Sequence, residues 1–220
     1  MEVKEAILNR KSIRKYLPKQ IEKEKLERLL ETTRRSPTWK NAQAFKIAIV
    51  QGKTKEKITI DFIQAIESGV SENPDYPYQD SYPNYIKKRM LELGAAYFGH
   101  MQVDRKDKEK RKELMLENFK FFGAPVGIFF LMEKGMNYWP TLDLGIFLGT
   151  FLIAARDEGL ETIAQASLAA FPDIVRKNLG FEDNWKVAVG VSIGYGDLED
   201  NANKFLSPRV DSSEILQFFD

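Results

Sequence analysis

The chain has 220 residues, 43% of them hydrophobic, enough for one domain with a substantial core. Its 33 Lys and Arg against 32 Asp and Glu leave a formal charge of +1, which gives no hint of nucleic acid or an anionic membrane, so any anion site must be a local cluster. There is no cysteine and His100 is the only histidine, which excludes disulfides, thiolate chemistry, thiolate-held zinc or iron–sulfur centres and a His-rich metal site.

Met1–Glu5 has no apolar h-region, so no secretory signal is expected, and with the absence of cysteine this points to the cytoplasm. Val3, Ala6 and Ile7 fit one face of a short first helix. Ile21 to Arg34 repeats Leu26, Leu29 and Leu30 at helical spacing and is stopped by Ser36-Pro37. Phe45 to Val50 reads as a strand ended by Gly52. Lys53 to Glu67 is an amphipathic helix. Gly69 to Pro83, full of Pro, Asn, Asp and Tyr, is an exposed loop.

Tyr85 to Val103 and Lys106 to Phe122 read as helices. Lone His100, amid Ala95 to Gly99, reads as structural. Val126 to Met132 is apolar on both faces, which predicts a sheet covered on both sides. Thr141 to Glu158 is an almost wholly apolar helix, buried centrally or in a subunit interface. Its uncharged run, Leu144 to Ala155, falls short of the roughly 20 residues that span a bilayer. Thr162 to Leu168 is a short strand, and Pro172 to Leu179 a helix with Asp173 in its first turn and Gly180 as its stop. Val187 to Tyr195 is a further strand, and Asp211-Ser212-Ser213 caps a last helix through Phe218. The whole is one α+β domain with a mixed or antiparallel sheet, since the helices between 85 and 122 break simple βα alternation. No G-x-G-x-x-G or P-loop follows the first strand.

Four segments could carry chemistry. Arg10-Lys11-Ser12-Ile13-Arg14 offers guanidinium forks and a hydroxyl, the donor set a phosphate dianion needs. On composition alone it also reads as a solvated basic helix end. Ser36 to Phe45 is a loop rich in amides and hydroxyls, in which Asn41 and Gln43 can each donate and accept toward a uracil-like ring edge, or simply cap the loop. Gly159 to Leu168 carries small residues at Ala164, Ala166 and Ser167 that would let a flat ring approach the backbone, or serve tight packing. Asn203 to Arg209 is a polar tail with two cations.

Together these blocks resemble the nitroreductase family. Arg10-Lys11-Ser12-Ile13-Arg14-Lys15-Tyr16 is similar to its opening motif, Ser36-Pro37-Thr38-Trp39-Lys40-Asn41-Ala42-Gln43-Ala44-Phe45 to its second, and Gly159, Leu160, Thr162, Gln165, Ala166 and Leu168 to its third. Ile193-Gly194-Tyr195 with Arg209 matches the fourth. The resemblance implies a three-layer α/β/α sandwich around a mostly antiparallel sheet, homodimeric, with Thr141 to Glu158 as a buried interface helix. Residues 1–220 would form one FMN-binding domain, with an excursion over 69–122 shaping the substrate side and a tail over 201–220 wrapping the partner.

FMN would be held non-covalently by both subunits. The implied ligands are Arg10, Ser12 and Arg209 at the phosphate, with Lys11 and Lys204 nearby. Arg14 and Asn41, with Gln43, would lie at the pyrimidine edge, and Pro37, Thr38 and Trp39 would come from the other subunit. Gln165, Ala166 and Ser167 would present backbone groups to the ring. Ala44, Trp39, Glu161 and Leu206 depart from the family pattern, which bears on pocket shape and phosphate shell. Because a flavin supplies the chemistry, no catalytic side chain or metal is expected, and Arg14 would tune the ring. The implied function is two-electron ping-pong transfer from NADH or NADPH to a nitroaromatic, quinone or related small molecule. The open face would be shaped by Trp39, Phe45 and Tyr76 to Tyr82, which also read as loop anchors. Another flavin enzyme on the same scaffold (a dehalogenase or flavin-fragmenting enzyme), a non-enzymatic flavin-binding protein and a cofactor-free structural dimer are the alternatives.

Overall fold

A computed structural model describes Met1 to Phe219. Its sheet has strands β1 (Phe45–Gln51), β2 (Val126–Glu133), β3 (Glu161–Gln165) and β4 (Trp185–Gly194), ordered β1-β2-β4-β3. Every pairing is antiparallel, which decides between the mixed and antiparallel alternatives. The helices are α1 (Val3–Asn9), α2 (Lys23–Thr33), α3 (Gly52–Glu67), α4 (Asn84–His100), α5 (Lys108–Leu116), α6 (Tyr138–Asp157) and α7 (Pro172–Leu179).

β2 explains the three layers. Its side chains alternate between two cores because successive residues of a strand point to opposite faces. Phe129 and Leu131 join Ile58 and Phe62 of α3 and Val175 of α7 on one side. Val126, Ile128, Phe130 and Met132 join Leu26 and Leu29 of α2 and Leu144, Phe147 and Phe151 of α6 on the other. Each of these buried side chains contributes up to roughly 1.5–3 kcal/mol of transfer free energy. The apolar run Val126–Met132 therefore sits where its composition requires, covered on both faces.

α7 also matches its expected bounds. Pro172 opens it, Asp173 lies in its first turn, and Gly180 closes it at φ +68 with its N–H bonded to the Arg176 carbonyl.

Several expectations are corrected. In α1 only Ala6 is buried, whereas Val3 and Ile7 are exposed. The charged segment 106–122 is helical only over Lys108–Leu116, then tightens into a 3-10 turn, Glu117–Gly123. Phe121 and Phe122 there adopt positive φ, 56° and 53°, in order to bury both rings. The Phe121 ring lies over Gly127, where a Cβ would collide with it. The expected strand 162–168 ends at Gln165, because Ala166–Ala169 turns and drives Leu168 against Gly190. The helix expected through Phe218 is a single turn, Ser212–Glu214. Asp211 does cap it, accepting from Ser213 N at 2.9 Å, but Ile215, Leu216, Phe218 and Phe219 are exposed, and so short a helix does not hold without a packed face.

α6 is longer than expected and is in fact long and apolar enough to cross a membrane by length and hydropathy. One face packs on the sheet through Leu144, Phe147, Phe151 and Ala155. Tyr138, Trp139, Leu142 and Ile146 remain exposed, so within this chain the helix is half covered rather than buried. α4 and α5 contain no buried residue at all.

Candidate functional site

The opening segment leaves α1 at Arg10 and runs along the outer side of β3. Ile13 N–H donates to the Thr162 carbonyl at 3.2 Å, and the fully buried Ile13 side chain anchors the stretch in the core. Tyr16 bridges to Gly196, and its buried hydroxyl donates to the Ser192 carbonyl at 3.1 Å. With Ile13 and Tyr16 turned inward, Lys11, Ser12 and Arg14 line a cleft together with Leu93 and Tyr97 of α4 and Phe205 and Ser207 of the tail.

The cations here lack acids. Among the described residues, none of Arg10, Lys11, Arg14 or Arg209 forms an ion pair with a carboxylate. The Arg10 pKa is lowered by burial and by the like charge of Arg209. Arg209 bonds only to its own tail, at the Ser207 carbonyl and hydroxyl and the Pro208 carbonyl. Two converging guanidiniums without an anion are an unfavourable arrangement that a dianion would relieve. The Arg14 pKa is likewise lowered by burial, while Tyr97 and Tyr16 oppose that effect.

The tail is fastened rather than loose. Asn203 is fully buried, accepts from Arg14 N at 2.6 Å, and donates to the carbonyls of Lys15 and Asp197 at 2.8 and 2.6 Å. His100 has the structural part expected of it, its Nε2 lying 2.7 Å from the Asn201 carbonyl. Lys204, expected near the phosphate, is exposed and lies 3.5 Å from Glu199.

Farther along the same edge strand, Ala164 and the following Ala166 are exposed, where their small side chains leave the backbone approachable. The Gln165 side chain is committed inward. It donates to the Asn118 carbonyl at 2.9 Å and accepts from Ser192. Ser167 Oγ donates to Asn118 Oδ1 at 3.3 Å. Glu161 is buried and paired with Arg156, so its departure from the family pattern is absorbed structurally.

The loop 37–43 has a different setting. The buried Asp143 carboxylate in α6 accepts from Trp39 N at 2.9 and 3.0 Å. Lys40, Asn41 and Gln43 adopt positive φ, 47°, 59° and 46°. Asn41 Oδ1 accepts from Gln43 Nε2 at 2.9 Å, and Thr38 Oγ1 accepts from Gln43 N at 3.3 Å. Trp39 is exposed and stacks on Trp139 with centroids 5.0 Å apart. Pro37 is exposed beside them.

Strand register separates the two groups within a protomer. Phe45, which follows the loop, opposes Met132, and Met132 opposes Lys186. Thr162, beside Ile13, opposes Ile193 at the other end, level with Val126 and Gln51. Three strand spacings across and six residues along put the groups roughly 25 Å apart, at diagonal corners of the sheet. Arg10, Lys11, Ser12 and Arg14 lie at the corner marked by Thr162, with Arg209 near Arg10, while Gln165, level with Gly190, Phe129 and Ala48, leads Ala166 and Ser167 away from that corner toward the middle of the same edge. Pro37, Thr38, Trp39, Asn41 and Gln43 share the other corner, so Asn41 is not beside Arg14 of its own chain. The loop 69–83 is pinned elsewhere, with Asp75 accepting from Arg176 and from Val187 N at 2.8 Å, and Tyr76 half-buried on the α2/α6 core.

Sequence reasoning missed Tyr97, Asn118 and Asp143, and marked Asn203 only as part of a polar tail. Only Asp143 left a signal, as the charge that interrupts an apolar helix. The others take meaning from partners up to 189 residues away.

Residues 7–195 match the model of the Nitroreductase family. The chain is 28% identical over 212 residues, 96% of its length and 93% of the relative's, to the 4-nitrobenzoate reductase of Pseudomonas putida. The solved structure of the FMN and NADPH-dependent nitroreductase NfnB from sphigopyxis sp. strain HMH superposes with a TM-score of 0.97 at 25% identity, covering 100% of both chains. That of the FMN-dependent nitroreductase NfnB from Mycobacterium smegmatis, in complex with NADPH, covers 99% of this chain and 97% of its own at a TM-score of 0.95 and 23% identity, a likeness of fold. The family match takes in the whole sheet, the opening segment and the 37–43 loop, and the chain belongs to the nitroreductase family.

Proposed function

We propose that this protein is an FMN-dependent NAD(P)H oxidoreductase that reduces nitroaromatic compounds, and quinones or related small acceptors, as a homodimer. The observation that carries this is a group of cations, Lys11 and Arg14 in the cleft and Arg10 facing Arg209, none of them paired with a carboxylate among the described residues, on the sheet edge that also exposes Ala164 and Ala166. The donor set fits a flavin mononucleotide. Arg10, Ser12 and Arg209 would take the phosphate, with Lys11 and Lys204 adding long-range positive charge. Backbone groups of Gln165, Ala166 and Ser167 would meet the ring, and Arg14 would put charge at its pyrimidine edge. When bound, the flavin accepts a hydride from the nicotinamide and passes electrons to the acceptor.

The other half of the site would come from a second copy. Pro37, Thr38, Trp39, Asn41 and Gln43 lie at the far corner of their own sheet, and a two-fold arrangement would carry them to a partner's cleft. The exposed apolar side of α6 and the Trp39–Trp139 pair supply area for such an interface. In this reading the 201–220 tail reaches onto the partner, and the 69–122 excursion bounds the substrate side. Most of α4 and α5 has nothing to pack on within one chain. Asp220 lies outside the described residues.

The names of the relatives support the substrate class and point to NADPH as the first donor to try. The test is the absorbance spectrum of FMN-reconstituted protein without oxygen. NADPH or NADH should bleach the flavin band, and a nitroaromatic acid such as 4-nitrobenzoate should restore it. Protein that takes up no FMN, or bound FMN that neither nicotinamide bleaches, contradicts the proposal.

A further inference from the structure

We infer that Tyr97 is a positioning residue for this chemistry: its ring holds the Arg14 guanidinium in place and thereby sets how strongly the site favours reduced over oxidised FMN. The inference rests on the function proposed above.

Arg14 has five N–H donors, yet its guanidinium makes one long hydrogen bond, from Nη1 to the Ser12 carbonyl at 3.4 Å. No carboxylate orients it among the described residues. What faces it is the Tyr97 ring, whose centroid lies 4.7 Å from Arg14 Cζ. This contact holds the cation by its face and leaves the in-plane donors free toward the cleft that Arg14, Ser12 and Tyr97 line together.

Tyr97 is itself braced. Phe205 meets it edge-on, with centroids 5.3 Å apart and an interplanar angle of 72°. Phe205 also rests on His100 at 5.5 Å, and His100 and Asn201 are bonded reciprocally, ring nitrogen to carbonyl at 2.7 Å and amide to carbonyl at 3.1 Å. Asn203 holds the Arg14 backbone from the same tail. Three distant segments, the opening stretch, α4 and residues 201–205, therefore converge on one cation. α4 buries no residue, so its conspicuous attachment to this corner is spent on Arg14 and the tail rather than on the core. A positive charge held at the ring edge where reduced flavin becomes anionic favours the reduced form. Removing the ring frees the guanidinium to swing into solvent and weakens that preference.

The experiment compares FMN midpoint potential and FMN affinity in the full-length parent, Tyr97→Leu, Tyr97→Phe, Arg14→Met and the Arg14→Met/Tyr97→Leu pair. Tyr97→Leu should lower the affinity for reduced relative to oxidised FMN about fivefold, the size of one cation–π contact at a half-exposed site. That corresponds to a two-electron potential about 20 mV lower. Tyr97→Phe should keep the parent value, because the ring and not the hydroxyl acts. Tyr97→Leu should add nothing in the Arg14→Met background. Should Tyr97→Leu not fold, Phe205→Leu removes the brace instead and should shift the potential in the same direction. A parent potential in Tyr97→Leu with FMN bound, an equal shift in Tyr97→Phe, or an undiminished shift in the Arg14→Met background overturns the inference while leaving the functional reading intact. A parent protein that binds no FMN overturns both.

Discussion

The two corners of the sheet that carry the candidate residues are built on opposite principles. At the Arg10–Arg14 corner, cations gather without acids among the described residues and are held by long-range contacts from α4 and the tail. At the Pro37–Gln43 corner, short amide side chains and a stacked tryptophan pair stand on a backbone bent into positive φ and pinned by one buried carboxylate, Asp143. The first supplies charge and the second supplies amides and aromatic area. Neither alone offers what a flavin mononucleotide needs, and roughly 25 Å separates them in one chain. The difference is what motivates the proposal that the working unit is two copies of the chain.

The largest expected effect falls on the charged corner. Arg10→Ala with Arg209→Ala should weaken FMN binding by roughly a hundredfold or more, since each hydrogen bond to a charged group is worth about 1.5–3 kcal/mol. Gel filtration should show the same oligomeric state as the parent. The remaining affinity of the parent should fall as salt rises, because screening weakens a charge-held phosphate. Affinity that ignores both the substitutions and the salt would remove the distinction between the corners.

A smaller effect is expected at the other corner. Asp143→Ala leaves Trp39 N without its acceptor in a part-buried setting, and should cost about 1 kcal/mol in urea unfolding. The loop should loosen with it, reporting as a change in Trp39 fluorescence and a weaker dimer. Unchanged stability and fluorescence would show that the loop holds itself.

The smallest effect concerns Tyr16, the floor of the charged corner. Burial holds its phenol well above a tyrosine's ordinary pKa of about 10, with Arg14 opposing, so the folded state resists an ionisation that the unfolded chain undergoes. Its contribution is complete below about pH 10 and is lost as pH rises further. Tyr16→Phe should cost about 1 kcal/mol at neutral pH, for the bond to the Ser192 carbonyl, and flatten the alkaline fall of stability. A parallel alkaline limb in both proteins would assign that limb elsewhere.

Much of the frame was legible in the chain. The run Val126–Met132 pointed to a strand covered on both faces, and Pro172 with Gly180 bounded a helix from both ends. The cationic cluster was visible as a motif, but composition could not tell a phosphate cradle from a solvated helix end, because that depends on the absence of carboxylates from elements far away in sequence. Phe121 and Phe122 broke a helical pattern because core burial outweighed backbone preference. The final helix failed for the opposite reason, having no apolar partner in its own chain. Asn203 belongs by composition to a polar tail, and its burial becomes apparent only with Arg14, Lys15 and Asp197 placed around it. The separation of Asn41 from Arg14 is a property of strand register, which no local motif encodes.

Subunit complementation tests the two-copy site most directly. Dimers combining an Arg10→Ala/Arg209→Ala subunit with a Trp39→Ala/Asn41→Ala subunit, isolated through two different tags, should bind one FMN per dimer with parent affinity, while each variant homodimer binds weakly. A mixed dimer that binds no better than its two parents would contradict the account.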